Sequence, residues 1–460
     1  MMEDDIKLNP LLVRKYNQPV PRYTSYPTVP YWDNSLDQNT WSSIFEKEFN
    51  KHNHLEGISI YIHLPFCESL CTYCACNKLI TTNHTVETEY LLAIEKEWKL
   101  YRNFMQQTPV IREIHLGGGT PTFFSPGNLR RLLTLILKNS IVHPAHEFSI
   151  EGHPNNTTKK HLEVLYSFGF RRISYGVQDN DPTVQQIINR IQPFENVKNA
   201  TEMARQTGFT SINFDLIYGL PKQTIESIEK TIEQVTTLMP DRIAFYSYAH
   251  VPWAGKAQRL FDENDLPAVE TKMGLYLKGK ELLMQHGYFD IGMDHFALPH
   301  DSLYKAWTKG KLHRNFMGYT THNTCMLLGL GVSSISDTGT AYAQNAKKIT
   351  DYYRSLESNQ LGVTRGYILN DEDKLFRKNI LDISCRGKTS FSAEQLILLK
   401  QYSFDELSAF AAEGLIKFDD TTLEVTPQGH FFIRNICSAF DLYLHRNSLM
   451  AGKPVFSKAI

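Results

Sequence analysis

From about residue 58 the chain alternates short β-branched or aromatic runs with longer amphipathic stretches, a period that restricts its fold more than any other feature. Strands are predicted at Ile58 to Phe66, Val110 to Leu116, Glu147 to Glu151, Arg172 to Gln178, Ser211 to Tyr218, Arg242 to Tyr248 and Tyr288 to Asp294. Between them Val86 to Met105, Asn128 to Lys138, Pro182 to Gln206 and Ile225 to Leu238 place apolar residues three or four apart, as helices do. Six or seven βα units predict an α/β barrel or partial barrel, residues 51–365. Residues 1–50 lack a strong period, and their run Pro21-Arg22-Tyr23-Thr24-Ser25-Tyr26-Pro27 predicts an extended arm. Beyond residue 365 strand signals fade, and Asp371 to Ile383, Ala393 to Lys400, Phe404 to Gly414 and Gly429 to Arg446 predict a helical C-terminal domain, 366–460. A length of 460 residues suits such a division.

Composition narrows the function classes. Lysine plus arginine number 48 against 49 acids, with no dense basic run, which argues against a nucleic-acid partner. The most apolar stretches, Leu132 to Leu137 and Met326 to Val332, fall far short of the roughly 20 residues that cross a bilayer. Met1 to Pro10 carries Glu3, Asp4 and Asp5 and lacks a secretory profile, so a cytoplasmic, monomeric protein is expected.

Four of the seven cysteines, Cys67, Cys71, Cys74 and Cys76, crowd one ten-residue window in which chance would put about 0.15. In a reducing compartment such clustering points to metal or redox chemistry before disulfides. The spacing CxxxCxxC follows a predicted strand, on a loop leaving the face of a barrel where chemistry sits. Zinc usually draws on separated ligand pairs, and no distant CxxC exists here. Three thiolates on one tight loop suit three irons of a [4Fe-4S] cluster, with Cys76 nearby but unbound. A zinc site and a chance group of buried thiols remain open on spacing alone.

Other segments carry polar groups to the same face. Gly117-Gly118-Gly119-Thr120-Pro121-Thr122 follows a strand, where glycines let a ligand approach the backbone. It lacks the Gly-Lys-Ser/Thr of a phosphate loop, and a plain turn is its bland alternative. Glu151, Gln178 and Asp215 fall at the ends of three predicted strands. Alone, Glu151 and Asp215 would suit a glycoside hydrolase. Arg22, Tyr23, Tyr26, Arg314 and Tyr319 would suit a flat macrocycle bearing carboxylates, or ordinary packing. Asp294 and His295 could form an electron or proton relay, or a core histidine with its partner. Cys325, Cys385 and Cys437 read as small buried hydrophobes.

The cysteine loop resembles that of the radical S-adenosylmethionine enzymes, in which CxxxCxxC holds a cluster whose free iron binds S-adenosylmethionine. The resemblance extends through PRYTSYPT (Pro21 to Thr28), YIHLPFCESLCTYCACNK (Tyr61 to Lys78), GGGTPT (Gly117 to Thr122), DLIYGLPKQ (Asp215 to Gln223), GMDHFA (Gly292 to Ala297), HRNFMGYTT (His313 to Thr321) and RNIC (Arg434 to Cys437) to the oxygen-independent coproporphyrinogen III dehydrogenase family. It implies a partial (β/α)6-type radical barrel with Cys67, Cys71 and Cys74 as iron ligands. It also implies contacts to S-adenosylmethionine from Tyr61, Tyr73, Gly118, Gly119, Thr120, Glu151, Gln178, Arg190, Asp215, Ala249 and Ile335. Gln178, Arg190 and Asp215 match positions associated with a second molecule. Cys76, Asp294 and His295 would act in catalysis, and Arg22, Tyr23, Arg314 and Tyr319 would hold substrate.

The implied reaction is the decarboxylation of two propionates of coproporphyrinogen III to vinyl groups by a 5'-deoxyadenosyl radical, with an unidentified electron donor and acceptor. A haem-binding chaperone of the same family is the alternative, and relatives of that kind usually lack a cysteine at the Cys76 position. A radical methyltransferase that opens haem is a more distant one. The chain departs from the family pattern at Ala75, where glycine is usual, and at Gly152-His153, where Val-Asp is common.

Overall fold

The computed structural model describes residues 9–253, 255–446 and 456–459. Its centre is a parallel run of seven strands: β1 (Ile58–Leu64), β2 (Val110–Gly118), β3 (Ile141–Gly152), β4 (Phe170–Gln178), β5 (Ser211–Tyr218) and β6 (Arg242–Ser247), joined on the free side of β1 by Leu327–Leu330. Helices Val86–Phe104, Pro126–Leu137, Lys159–Ser167, Phe194–Thr207, Ile225–Thr237 and Val269–Gln285 connect or flank them. Alternate strand residues such as Ile60, Ile62, Ile114, Leu116, Phe148, Ile150, Ile173, Ile212 and Phe214 are fully buried against these helices. The intervening positions face the lumen and are largely polar, which is the period-2 rule applied to a curled sheet.

The sheet does not close. Antiparallel strands cap both edges, Phe289–Gly292 and His295–Ala297 beyond β6, and Ile335–Asp337, Ala341–Asn345 and Val363–Ile368 beyond Leu327–Leu330. The expected strand Tyr288 to Asp294 is thus one arm of a hairpin that turns at Met293 (φ 50°) and Asp294. The expected helix Pro182 to Gln206 is broken into Pro182–Ile187 and Phe194–Thr207, because Pro193 supplies no amide to a continuing helix. The strands between 313 and 345 are too short, at three to five residues, to stand out as periodic runs.

The two ends also hold more structure than their sequence predicts. Within 1–50 the expected extended run Pro21 to Pro27 is non-helical, but Gln38–His52 is a helix capped by Asp37 that buries Trp41, Phe45 and Phe49 completely. Residues 1–8, part of the expected arm, lie outside the described residues. The C-terminal helices enclose a three-stranded antiparallel sheet, Lys388–Ser390, Ile416–Phe418 and Thr422–Val425, whose strands are again of three or four residues. Arm and C-terminal segment are locked together: Arg434 donates to the carbonyls of Val20, Pro21 and Ala459, and Tyr23 donates to Asp441 at 3.1 Å. Among the described residues no helix is long and apolar enough to cross a membrane.

Candidate functional site

Strand β1 ends at Leu64, and the chain enters a loop, residues 65–80, stapled at its base by the pairing of Phe66–Cys67 with Leu79–Ile80. Its tip is fixed to the β4 side of the barrel, since Thr72 N–H donates to the Ile188 carbonyl at 3.0 Å and Asn189 Nδ2 to the Leu70 carbonyl at 2.8 Å. Tyr73 packs against Val184, Ile188, Ile217, Leu220 and Tyr248. Loop geometry of this kind is set by backbone bonds at both ends, so the thiols stand on a rigid frame.

Cys67, Cys71, Cys74 and Cys76 line one cavity of about 410 Å³ at the carboxyl ends of the strands, together with Tyr73, Gly118, Gly119, Thr120, Glu151, Gln178, Arg190 and Asp215. Twelve residues singled out from six separate stretches of sequence therefore meet in one place. Thr120 Oγ1 donates to Cys67 Sγ at 3.3 Å and Arg190 Nη1 lies 3.7 Å from Cys71 Sγ. Cys74 is drawn below the usual thiol range by its hydrogen bond with Cys76, with Lys78 adding to the effect, while burial lifts Cys67 to about 11.

The glycines have a steric reason. A Cβ on Gly119 would sit 2.6 Å from the Pro65 backbone, and one on Gly118 (φ 118°) would sit 2.8 Å from the His63 ring. The Gly118 amide then donates to Glu151 Oε2 at 3.1 Å, and His115 Nε2 lies 3.4 Å from Glu151 Oε1. Depth in the barrel pushes the Glu151 carboxyl up, but His115 and the Gly118 amide outweigh it and leave the acid below the usual range. Asp215 is instead raised to about 6 by desolvation and by Glu151, against hydrogen bonds from Ser174 and Asn213. Gln178 is held at φ 68°, an uncommon conformation for a side chain larger than glycine, and such strain gathers at ligand sites. Arg190 donates to the Gly176 carbonyl at 2.6 Å, while its Nε is buried without a partner.

Three of the expected cofactor contacts, Tyr61, Ala249 and Ile335, do not line the cavity. Tyr61 lies beneath Gly117, whose Cβ would come within 3.0 Å of the tyrosine ring and 3.1 Å of Glu151. Ala249 is tied to the loop through Gln258, whose Nε2 donates to the carbonyls of both Ala249 and Tyr73. Ile335 sits against Gly329, the residue paired with Tyr61, and packs toward Trp32 and Tyr342.

Below the main cavity the lumen continues as a smaller space of about 100 Å³ that shares Glu151, Ser174, Asp215 and Tyr246 with it and adds His115, Arg172, Arg242, His295 and Tyr319. His295 meets Tyr319 edge to face at 5.1 Å, and its Nδ1 is buried without a partner. Burial and four arginines push this imidazole down to about 3, so it is neutral. Arg314 lies over the Tyr319 ring at 4.9 Å with Nε and Nη1 likewise unpartnered. Arg22 donates to the Ser247 carbonyl at 2.9 Å and stands 3.9 Å from Asp294.

Asp294 and Tyr23 are not brought to this lumen. Asp294 borders a separate cavity of about 40 Å³ with Tyr218, Met293 and Arg434, so the residues expected to act in catalysis do not form one group. Tyr23 is a core side chain, 2% exposed, engaged with Asp441. Ala75 is exposed and does not line the cavity, and His153, pushed down to about 3 by burial and Arg190, is neutral. Sequence reading missed His63, His115, Ser174, Asn213 and Tyr246, although alternation of polar with apolar residues along β1 to β6 would have marked each as facing the lumen.

The donor set can be tested against candidate groups. Zinc–sulfur bonds of about 2.3 Å put sulfurs about 3.8 Å apart in a tetrahedron. Among the described residues Cys67, Cys71 and Cys74 do not form a set whose donor atoms all lie within 4.8 Å of one another. Three thiols carried by one loop on the wall of one cavity are the donor set that a [4Fe-4S] cluster draws from a protein.

The Radical SAM superfamily profile matches residues 61–235, the stretch from β1 through the helix after β5. Over nearly the whole chain the sequence is similar to the oxygen-independent coproporphyrinogen III oxidase of Pseudomonas aeruginosa, at 39% identity over 96% of this chain and 97% of that protein. The Escherichia coli oxidase is 38% identical over 95% of this chain and 96% of its own length. A solved structure of Escherichia coli coproporphyrinogen III oxidase, described as a radical SAM enzyme, superimposes with a TM-score of 0.88 at 36% identity over 96% of this chain and 100% of that one. With likeness of this degree running through the barrel, the arm and the C-terminal segment alike, the chain belongs to the oxygen-independent coproporphyrinogen III oxidase family of the radical SAM superfamily.

Proposed function

We propose that this protein is a cytoplasmic enzyme that decarboxylates two propionate side chains of coproporphyrinogen III to vinyl groups, giving protoporphyrinogen IX. The observation that carries the reading is the meeting of three loop thiols, a glycine ridge and polar strand ends around one cavity that opens into an arginine-bearing lumen. Membership of the superfamily implies a [4Fe-4S] cluster and S-adenosylmethionine. Together, when bound, these supply a 5'-deoxyadenosyl radical able to remove hydrogen from the substrate.

The chain's own residues hold and aim. Cys67, Cys71 and Cys74 would hold the cluster, and Gly118, Gly119 and Glu151 on the wall of the same cavity would meet the amino and carboxylate ends of S-adenosylmethionine. Gln178, Arg190 and Asp215 would hold adenosyl or ribose groups, or a second molecule, with Arg190 beside Cys71. Arg314 and Arg22 would clamp propionates, the unpartnered Nε and Nη1 of Arg314 each being a charged donor that a carboxylate can meet. Neutral His295 can donate or accept one hydrogen bond in the lumen without adding charge. The arm and C-terminal segment, joined through Arg434 and Tyr23, would keep water and oxygen from the lumen.

Anaerobic reconstitution with iron and sulfide, followed by reductant, S-adenosylmethionine and coproporphyrinogen III, tests the reading by mass spectrometry. Protoporphyrinogen formed alongside 5'-deoxyadenosine is the expected outcome. Stable haem binding without decarboxylation would assign the chain to the chaperones instead.

A further inference from the structure

At the opposite end of the barrel three side chains with metal-binding donors converge. His52 closes the helix Gln38–His52, Glu56 lies in the turn that leads into β1, and Cys325 precedes the strand Leu327–Leu330 that pairs with β1. Their donor atoms, an imidazole nitrogen, a carboxylate oxygen and a thiol sulfur, all lie within 4.8 Å of one another, and each residue is only partly buried. An ion at the centre of a triangle of that size sits within about 2.8 Å of every corner, so shifts of about half an ångström reach zinc bond lengths.

Two further features prepare the place. Glu48, one turn before His52 and 5% exposed, sets Oε2 3.4 Å from His52 Nε2, and that oxygen is buried without a hydrogen bond. A carboxylate behind a ligating imidazole fixes its ring orientation and raises its basicity. The backbone is also held: the Cys325 amide donates to Glu56 Oε2 at 3.1 Å, Ser59 N–H donates to the Met326 carbonyl at 2.9 Å, and Ser59 Oγ lies 2.5 Å from Thr324 Oγ1. Ions can enter from an open cleft of about 500 Å³ whose wall includes Glu56 and Thr324.

The geometry points to a zinc site formed by His52, Glu56 and Cys325, with Glu48 backing the histidine and water completing the tetrahedron. One nitrogen, one oxygen and one sulfur donor suit a borderline-soft divalent ion and not magnesium or calcium. Binding displaces the Cys325 thiol proton, which leaves to solvent, and the ion keeps its oxidation state. The ion ties the end of the helix Gln38–His52 and the entry of β1 to the neighbouring strand, on the far side of the barrel from the cysteine loop. The site is independent of the porphyrin reaction.

The test keeps the cysteine loop filled, so that zinc cannot settle there. Protein with its iron–sulfur cluster in place is equilibrated anaerobically with zinc chloride, dialysed and analysed for metals. About one zinc per chain is expected, falling to under about a tenth in Cys325→Ser and in His52→Ala while iron content stays at the wild-type level. Retained iron shows that the variants have folded. Zinc-edge X-ray absorption of the wild-type protein gives a second reading that needs no variant: one sulfur with nitrogen and oxygen neighbours is expected. Absence of retained zinc, equal zinc in the variants, or a shell of two or more sulfurs each overturns the assignment.

Discussion

The two ends of the barrel lumen treat buried polar groups in opposite ways. At the lower end Arg242 Nε meets Asp301 at 2.6 Å, Asp301 also accepts from Ser211, Arg172 meets Glu147 at 2.7 Å, and Glu113 accepts from Thr320 and Ser59. Higher in the lumen Arg190 Nε, His295 Nδ1, and Arg314 Nε and Nη1 are buried with no partner among the described residues, His295 on the wall of the same small space as Arg172 and Arg242. Buried polar atoms are nearly always bonded, so a group of orphans in one place marks donors reserved for something the chain does not supply. The lower groups hold the barrel together, and under the proposed function the upper ones would meet a ligand.

The largest expected effect comes from the cysteines. Serine at Cys67, Cys71 or Cys74 should remove the cluster, read as iron, sulfide and the broad visible absorption, and abolish turnover. Serine at Cys76 should keep the cluster's iron while lowering turnover. If Cys76→Ser loses iron as fully as the other three, the division of the loop into three ligands and one neighbour is wrong.

Next in size is the lower end. Arg242→Ala leaves Asp301, 2% exposed at its side chain, as an uncompensated buried charge. Stranding one partner of such a pair costs about 3–5 kcal/mol, which should show as a lower urea midpoint at unchanged slope. A loss below about 1 kcal/mol would mean that the lower network is no more structural than the upper one.

Asp215 sharpens the contrast through pH. Its carboxyl is raised from an unfolded value of 3.8 to about 6, so the folded chain binds more protons between those values. Stability from this group is present in full below pH 3.8, falls as pH rises toward 6, and stays low above it. Asp215→Asn should therefore stabilise the cofactor-free protein by about 2 kcal/mol above pH 6, allowing for screening in the cavity, and by nothing below pH 4. A pH-independent difference between the two proteins would remove the electrostatic explanation.

The parallel strands β1 to β6 were legible because their runs are long: Ser211–Tyr218 was predicted to the residue, and the others within a few positions, apart from β3, which begins six residues before its predicted start, whereas the four-residue parallel strand Leu327–Leu330 was not predicted. The edge strands, the hairpin of His313–Asn315 and Gly318–Thr320, and the C-terminal sheet were not, since three or four residues give no measurable period. The helix Gln38–His52 was missed although its apolar positions, Trp41, Phe45 and Phe49, recur every four residues, the spacing of one helix face. The site was read mainly from motif resemblance. Its lining by His115 and Ser174 follows from the alternation of polar with apolar residues along β2 and β4, a signal that no motif accompanies. Asp294 illustrates the converse: next to His295 in sequence, it turns to another cavity because the hairpin reverses there.

Arg314 should show the smallest change in stability and is the most discriminating case. It sits on a hairpin strand opposite Tyr319, cation over ring, and makes one long hydrogen bond, 3.4 Å from Nη2 to the Arg22 carbonyl. An arginine with two idle donors in a buried place already bears a desolvation penalty, so Arg314→Met, which keeps the stem's packing and drops the charge, should alter unfolding free energy by less than about 1 kcal/mol. If its charge waits for a propionate, the same change should raise the KM for coproporphyrinogen III about tenfold or more while leaving the cluster's absorption intact, because a charge-assisted pair is worth about 1.5–3 kcal/mol. Should Arg314→Met instead destabilise the fold as much as Arg242→Ala does, the upper arginine would be a structural residue after all, and its bare nitrogens would no longer mark the place where substrate binds.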